Sequence, residues 1–141
     1  MPLDLNRIIR LAESRKPLTR EHEVRFMPNR HIGIKFDGDH PVAVFTDVPG
    51  RPLSVLIGTG TENMAKLQRR NIMPRSLSRY LIIDREELDS YSRFSKSTVF
   101  WPKGHLSEHL FRRYEITDNF AKYDSIRKRI AKLREEIKNG H

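Results

Sequence analysis

Three side chains stand where their context could make chemistry. His40 opens one apolar run, and Thr59 and Thr61 sit in the glycine-rich exit Gly58-Thr59-Gly60-Thr61 of another. An imidazole changes charge nearer neutral pH than any other side chain, so it can take a proton or give one. Hydroxyls and the backbone N–H groups of a glycine-rich turn can donate to a phosphate. Such a set suits cleavage of RNA through its own 2′-hydroxyl. That reaction needs a base, an acid and donors for the phosphorane charge, and neither a metal nor a protein nucleophile. Lys35, Arg51, Lys66, Arg69 and Arg70 are the cations that could hold the phosphates, and Arg127 and Arg129 would extend the cationic surface further along the chain. The plain structural alternative is that His40 is a solvated hairpin residue and Thr59 merely caps a helix.

The elements that must position these groups lie in residues 30–61. Ile32, Ile34 and Phe36 alternate with His31, Gly33 and Lys35, the period of a strand with one buried face. Asp37-Gly38 tolerates positive φ and predicts a tight reversal. Val42 to Phe45 is almost continuously apolar, as in a strand covered on both sides, and Val48-Pro49-Gly50-Arg51 has Pro and Gly where a type II turn wants them. Leu53 to Ile57 makes a third strand. The spacing of Thr59 and Glu62 is that of a capping box, which predicts a helix over residues 62–70. Adjacent antiparallel ribbons of this meander would bring the imidazole and the hydroxyls to neighbouring places.

The flanks add fewer constraints. Leu5, Ile8, Ile9 and Ala12 predict an amphipathic helix over residues 3–14, and Val24 to Phe26 a short edge strand, because Pro28 removes a ladder donor. Residues 80–83 read as a buried strand followed by Asp84 as a helix cap, and residues 97–101 as another strand closed by Pro102-Lys103-Gly104. Ser107 caps a short helix candidate. The stripe Ile116, Phe120, Tyr123, Ile126, Ile130, Leu133 and Ile137 predicts the longest helix, capped by Thr117 or Asp118, with docking on the sheet and a dimer seam both open. The expected fold is therefore α+β: a small antiparallel β-barrel or strongly bent sheet of about five strands, with an N-terminal helix and a long C-terminal helix. One domain, 1–141, divides into an N-terminal helical segment (1–23), a β-rich core (24–104) and C-terminal helices (105–141).

Composition narrows the function classes. The net charge of +9 favours polyanionic partners such as RNA or other nucleic acid, and the surplus is spread along the chain rather than gathered in a tail. Cysteine is absent, which removes disulfides, thiolate metal sites and cysteine nucleophiles. No run approaches the roughly 20 apolar residues of a membrane span, and no signal peptide is visible, so the expectation is a cytoplasmic protein without membrane contact. No phosphate-binding glycine-lysine loop, dinucleotide fingerprint or His-Glu-x-x-His occurs, and His105 and His109 lack a third ligand, so no metal or cofactor is expected.

The segment Gly38-Asp39-His40-Pro41-Val42-Ala43-Val44-Phe45, with threonines closing the next strand, resembles the signature of the PemK/MazF family of ribonuclease toxins. There a glycine-x-arginine-proline step opens an apolar strand, and a threonine or serine at the end of the next completes the site. The resemblance extends over about half the chain and implies an SH3-like barrel that dimerises, cuts single-stranded RNA without metal, and is neutralised by an antitoxin. His40 stands where that family has its arginine. Two other classes fit the residues: a non-catalytic, basic nucleic-acid-binding module of phage or plasmid origin, with Tyr91, Phe94 or Trp101 as stacking platforms, and an interaction protein that clamps another protein through the Ile116 to Ile137 stripe.

Overall fold

The computed structural model describes residues 20–33, 38–71 and 79–139. The expected N-terminal helix over residues 3–14, Lys35, and most of the loop expected after Asn71 lie outside the described residues. Six strands form one antiparallel sheet: β1 (Glu23–Pro28), β2 (Asp39–Thr46), β3 (Leu53–Gly60), β4 (Leu81–Ile83), β5 (Thr98–Leu106) and β6 (Ile116–Asn119), in the order β4-β5-β3-β2-β1-β6. Six short α- or 3₁₀-helical elements connect them among the described residues, and one long helix, which we call αC, closes the described chain at Asp124–Asn139.

The second and third strands of the meander expected near residue 30 exist as β2 and β3, while residues 34–36 of its expected first strand lie outside the described residues. Residues Asn29–Ile32 form a single helical turn ended by Gly33 at φ +71°, and β1, one segment earlier, takes the place beside β2. Nor is β1 an edge: β6 pairs with its other side, which makes six strands where about five were expected. Pro28 is tolerated because it is the last residue of its strand. Pro41 likewise precedes the first ladder pair of β2 with β3, Val42 opposite Ile57. The turn after β2 is as expected, with Gly50 at φ +79° and the Arg51 N–H donating to the Val48 carbonyl at 3.1 Å.

Two further boundaries moved. β5 does not stop at Pro102 but runs to Leu106, because β3 stays paired with it that far, while β4 covers its other side only across Thr98 to Phe100. From Pro102 onward one side of β5 is an edge, where a missing donor costs little. Register shifts at Val24/Arg25, Val44/Thr46 and Val55/Leu56 insert bulges into three of the ladders. Bulges bend a strand and raise its twist, and the sheet accordingly curls into a half-barrel.

The long helix begins at Asp124, eight residues later than its stripe predicted, because Ile116 to Asn119 is captured by β1 as a strand. Neither Thr117 nor Asp118 caps it. Its apolar face docks on the sheet: Ile126, Ile130 and Leu133 are buried against Leu81, Ile83, Leu56 and Phe100. The alternative of a dimer seam, or a clamp for another protein, no longer has that stripe to use. Phe94, Phe100 and Phe120 pack ring to ring in this layer at 5.5 to 6.1 Å. Such pairs add about 0.5–1.5 kcal/mol each beyond burial. The other face of the sheet buries Met27, Val42, Val44, Val55, Ile57, Val99 and Trp101 under Ile32, Leu67 and Phe111. Arg25 stitches that side. Buried, it donates to the carbonyls of Phe111 and Tyr114 at 3.2 and 2.7 Å and to Glu23 at 2.9 Å. No helix among the described residues is long and apolar enough to cross a membrane.

Two tests follow from this packing. The Phe100 ring lies where a Cβ on Gly58 would be, 2.7 Å away. Gly58→Ala therefore lowers unfolding free energy by about 1–3 kcal/mol in urea titration, and Phe100→Leu in the same chain recovers part of the loss. His22 holds φ +73° at the junction of β1, β2 and the turn after β6. Its pKa is lowered from 6.5, first by burial and then by Arg134. Below 6.5 the unfolded chain binds a proton the folded one resists, so this contribution to stability falls as pH drops through that value. His22→Asn, which tolerates the backbone angle, flattens the dependence between pH 7 and 5.5.

Candidate functional site

The ends of four neighbouring strands converge. β1 finishes, β2 begins, β3 finishes and β5 begins at one end of the sheet, because each pair is antiparallel. His40 pairs with Met27 across β1. The β2–β3 ladder ends with Val42 opposite Ile57; His40 lies two residues before that pair and Thr59 two residues after it, so both stand at the same end of the sheet. Alternation gives both the side of the sheet that carries Val42 and Ile57. Both are nearly buried, His40 at 6% and Thr59 at 3% exposure.

A cavity of about 210 Å³ opens here. Its wall includes His40, Thr59, Asn63, Arg93, Lys96 and Thr98, with Phe26 and Phe94 as the apolar side. Asn63 Nδ2 donates to Thr59 Oγ1 at 3.1 Å, which orients the hydroxyl and leaves its own proton as a donor. Thr98 Oγ1 donates to the Lys96 carbonyl at 3.2 Å and so shapes the turn that carries Lys96. The Arg93 guanidinium stands 4.9 Å over the Phe26 ring. Lys96 pairs with Glu62, and that hydrogen bond holds the Glu62 carboxyl below the usual range. The hollow lies at the rim of the sheet: two cations and the aromatic wall of Phe26 and Phe94 border it from the αC side, and the strand ends that carry His40 and Thr59, whose side chains alternate to the other face, close it.

The expected site residues divide accordingly. His40 and Thr59 share the cavity. Thr61 is not among its walls; its N–H donates to the Ser97 carbonyl at 3.2 Å, fastening the turn that follows β3. Thr59 is no helix cap but part of β3, and the helix over residues 62–70 resolves into a 3₁₀ turn, Thr61–Asn63, and a shorter helix, Met64–Arg69. Lys66, Arg69 and Arg70 are on the exposed side of that short helix, next in sequence to Asn63. Arg51 is at the other end of the hairpin, roughly 20–25 Å away along the strand, and cannot share the cavity. Arg127 pairs with Asp124. Arg129 donates to the Ile82 carbonyl at 2.7 Å and pairs with Glu87, clamping αC to β4 instead of facing a ligand.

Sequence reasoning missed Asn63, Arg93 and Lys96. The signal for the last two was available: cations on either side of Phe94, just before the apolar start of β5. His105 and His109 do not share a helix, since His105 lies in β5 and Ser107 opens the short helix that bears His109. No cluster of three or more metal-binding side chains occurs among the described residues. No family model, no curated protein and no solved structure matches the chain.

Because Arg129 holds the helix and Arg127 only a local exposed pair, the two differ in effect. Arg129→Met lowers stability by about 1–3 kcal/mol, whereas Arg127→Ala changes it by less than about 0.5 kcal/mol. Urea unfolding of the two variants checks the contrast.

Proposed function

We propose that the chain is a metal-independent endoribonuclease of the toxin–antitoxin type, acting on single-stranded RNA in the cavity at the strand ends. One observation carries the reading: His40 and Thr59, singled out by type and spacing, line the same cation-bearing hollow. His40 takes the proton from a ribose 2′-hydroxyl, whose oxygen attacks the adjacent phosphorus. The bond to the 5′-oxygen breaks, leaving a 2′,3′-cyclic phosphate. Arg93 and the Thr59 hydroxyl hold the charge that grows on the non-bridging oxygens, where a donor placed in advance is most effective. Lys96, the other proton-bearing group of the wall, protonates the leaving oxygen and must exchange Glu62 for the phosphate to do so. The aromatic side offers a base an apolar surface. An antitoxin, protein or RNA, would be the neutralising partner, and a homodimer the working form, by the same resemblance.

A second reading has its own observation. Lys66, Arg69 and Arg70 are exposed beside the cavity while His40 is almost wholly covered, as suits a nucleic-acid-binding surface without catalysis. In that case charge reversal at the three cations flattens the salt dependence of RNA binding, and no substitution at His40 matters.

The deciding experiment is purified protein with single-stranded RNA in excess EDTA. The expected products end in 2′,3′-cyclic phosphate. His40→Gln and His40→Ala each reduce the rate by about 10²–10⁴-fold, with folding checked by circular dichroism, and Thr61→Val leaves it unchanged. RNA that stays intact at micromolar protein, or cleavage that ignores both His40 variants, overturns the proposal.

A further inference from the structure

Tyr91 is 95% exposed, while Phe94 and Trp101, the other aromatics of this region, are buried. A lone exposed aromatic on a loose loop would say nothing. This loop is fastened from several sides. Arg85 donates to the carbonyls of Leu88, Asp89, Ser90 and Ser92 at 3.0 to 3.4 Å, so one guanidinium gathers the backbone on both sides of Tyr91. The Ser92 hydroxyl donates to the buried Asp118 at 2.8 Å, and the Asp89 N–H to the Tyr123 hydroxyl at 3.3 Å. Lys122 pairs with Asp89 and Asp118. The acidic groups at the foot of the loop are thus matched by cations, and the backbone carrying Tyr91 is held where it is.

Two residues beyond Tyr91 the chain enters the cavity wall at Arg93. Two residues span at most about 7 Å, close to the separation of successive nucleotides in an extended strand. We propose that Tyr91 is a stacking platform for the unpaired base that neighbours the nucleotide held in the cavity, with Arg93 on the phosphate between them; this rests on the reading of the cavity as an RNA site. The occupant is single-stranded RNA, because a base within a duplex keeps its faces stacked on its neighbours. A ring presented on a fixed backbone loses little freedom on contact, and any base offers it a π face, so the platform adds affinity without sequence preference.

The test uses the full chain and 2′-O-methyl RNA, which cannot be cut through the 2′-oxygen, as a single nucleoside 3′-phosphate, which has no neighbouring base, and as a hexanucleotide of mixed sequence. Tyr91→Ala weakens hexanucleotide binding by roughly 5- to 100-fold and leaves the mononucleotide unchanged. Tyr91→Trp retains the affinity, and 2-aminopurine beside the central nucleotide loses fluorescence on binding to the wild type but not to Tyr91→Ala. Wild-type affinity in Tyr91→Ala, an equal loss with both lengths, or failure of the hexanucleotide to bind the wild type overturns the platform. A Tyr91-dependent hexanucleotide affinity in a protein that never cuts unmodified RNA supports the platform and defeats only the nuclease reading.

Discussion

A sheet that is apolar on both faces has to be covered twice, and that requirement arranges most of this molecule. Leu56 and Phe100 project to one side and Val55, Ile57, Val99 and Trp101 to the other, all essentially without exposure. At about 25 cal/mol per Å² of apolar surface, leaving either face wet would forfeit a large part of the folding free energy. The long helix covers the first face and the short helices with the Arg25-stitched segment cover the second. What then stays open to water is the rim. A polar pocket in such a body has to form where strands end, and the cavity holding His40 and Thr59 lies there.

The same constraint explains why so much aromatic surface sits beside a candidate site. Phe26 and Phe94 face the cavity, yet they also join Phe100 and Phe120 in the layer beneath αC. The floor of the pocket is continuous with the core, so it cannot shift without disturbing the helix. Gly58 and Gly60 make room on that side: one for the Phe100 ring, the other for the Glu62 carboxylate. Glycine at these two places reflects contact from neighbours, since neither is held at positive φ.

What could be read from residue order and what could not follow from the range of the forces. Local signals held: the turn at Gly50, Asp84 at the start of a helical turn, the Ser107 cap, and the apolar runs that became β2 and β3. Long-range pairing overrode them elsewhere. Ile116 fits a helical stripe as well as a strand, and only the free edge of β1, about ninety residues earlier, decides for the strand. Alternation around Ile32 looked like a strand, but Asn29–Ile32 took a helical turn once β1 supplied the partner of β2. The placing of His40 and Thr59 at one end of the sheet follows from hairpin order, whereas Arg93 and Lys96 reach the pocket through a loop whose path no short-range pattern records.

Charge follows a similar division. A net charge of +9 suggests a polyanion-binding body, yet several of its cations, among them two named from the sequence, are already engaged. Arg129 holds a strand to a helix, Arg127 pairs within its own helix, and Arg25 is buried under carbonyl oxygens. The exposed Arg127 pair contributes little energy, whereas Arg25 and Arg129 help hold the fold, and in all three cases the partner fixes where the charge points. The distinction that matters for a ligand is between cations bound by geometry to the fold and cations whose only partner can be exchanged. Lys96 belongs to the second group. Its carboxylate partner, Glu62, is half-exposed, and a phosphodiester, with one negative charge over two non-bridging oxygens, offers the same ammonium an equivalent acceptor. On the proposed reading, an RNA phosphodiester that takes the place of Glu62 keeps the Lys96 charge paired, whereas a neutral ligand that displaced the carboxylate would leave it without a counter-charge.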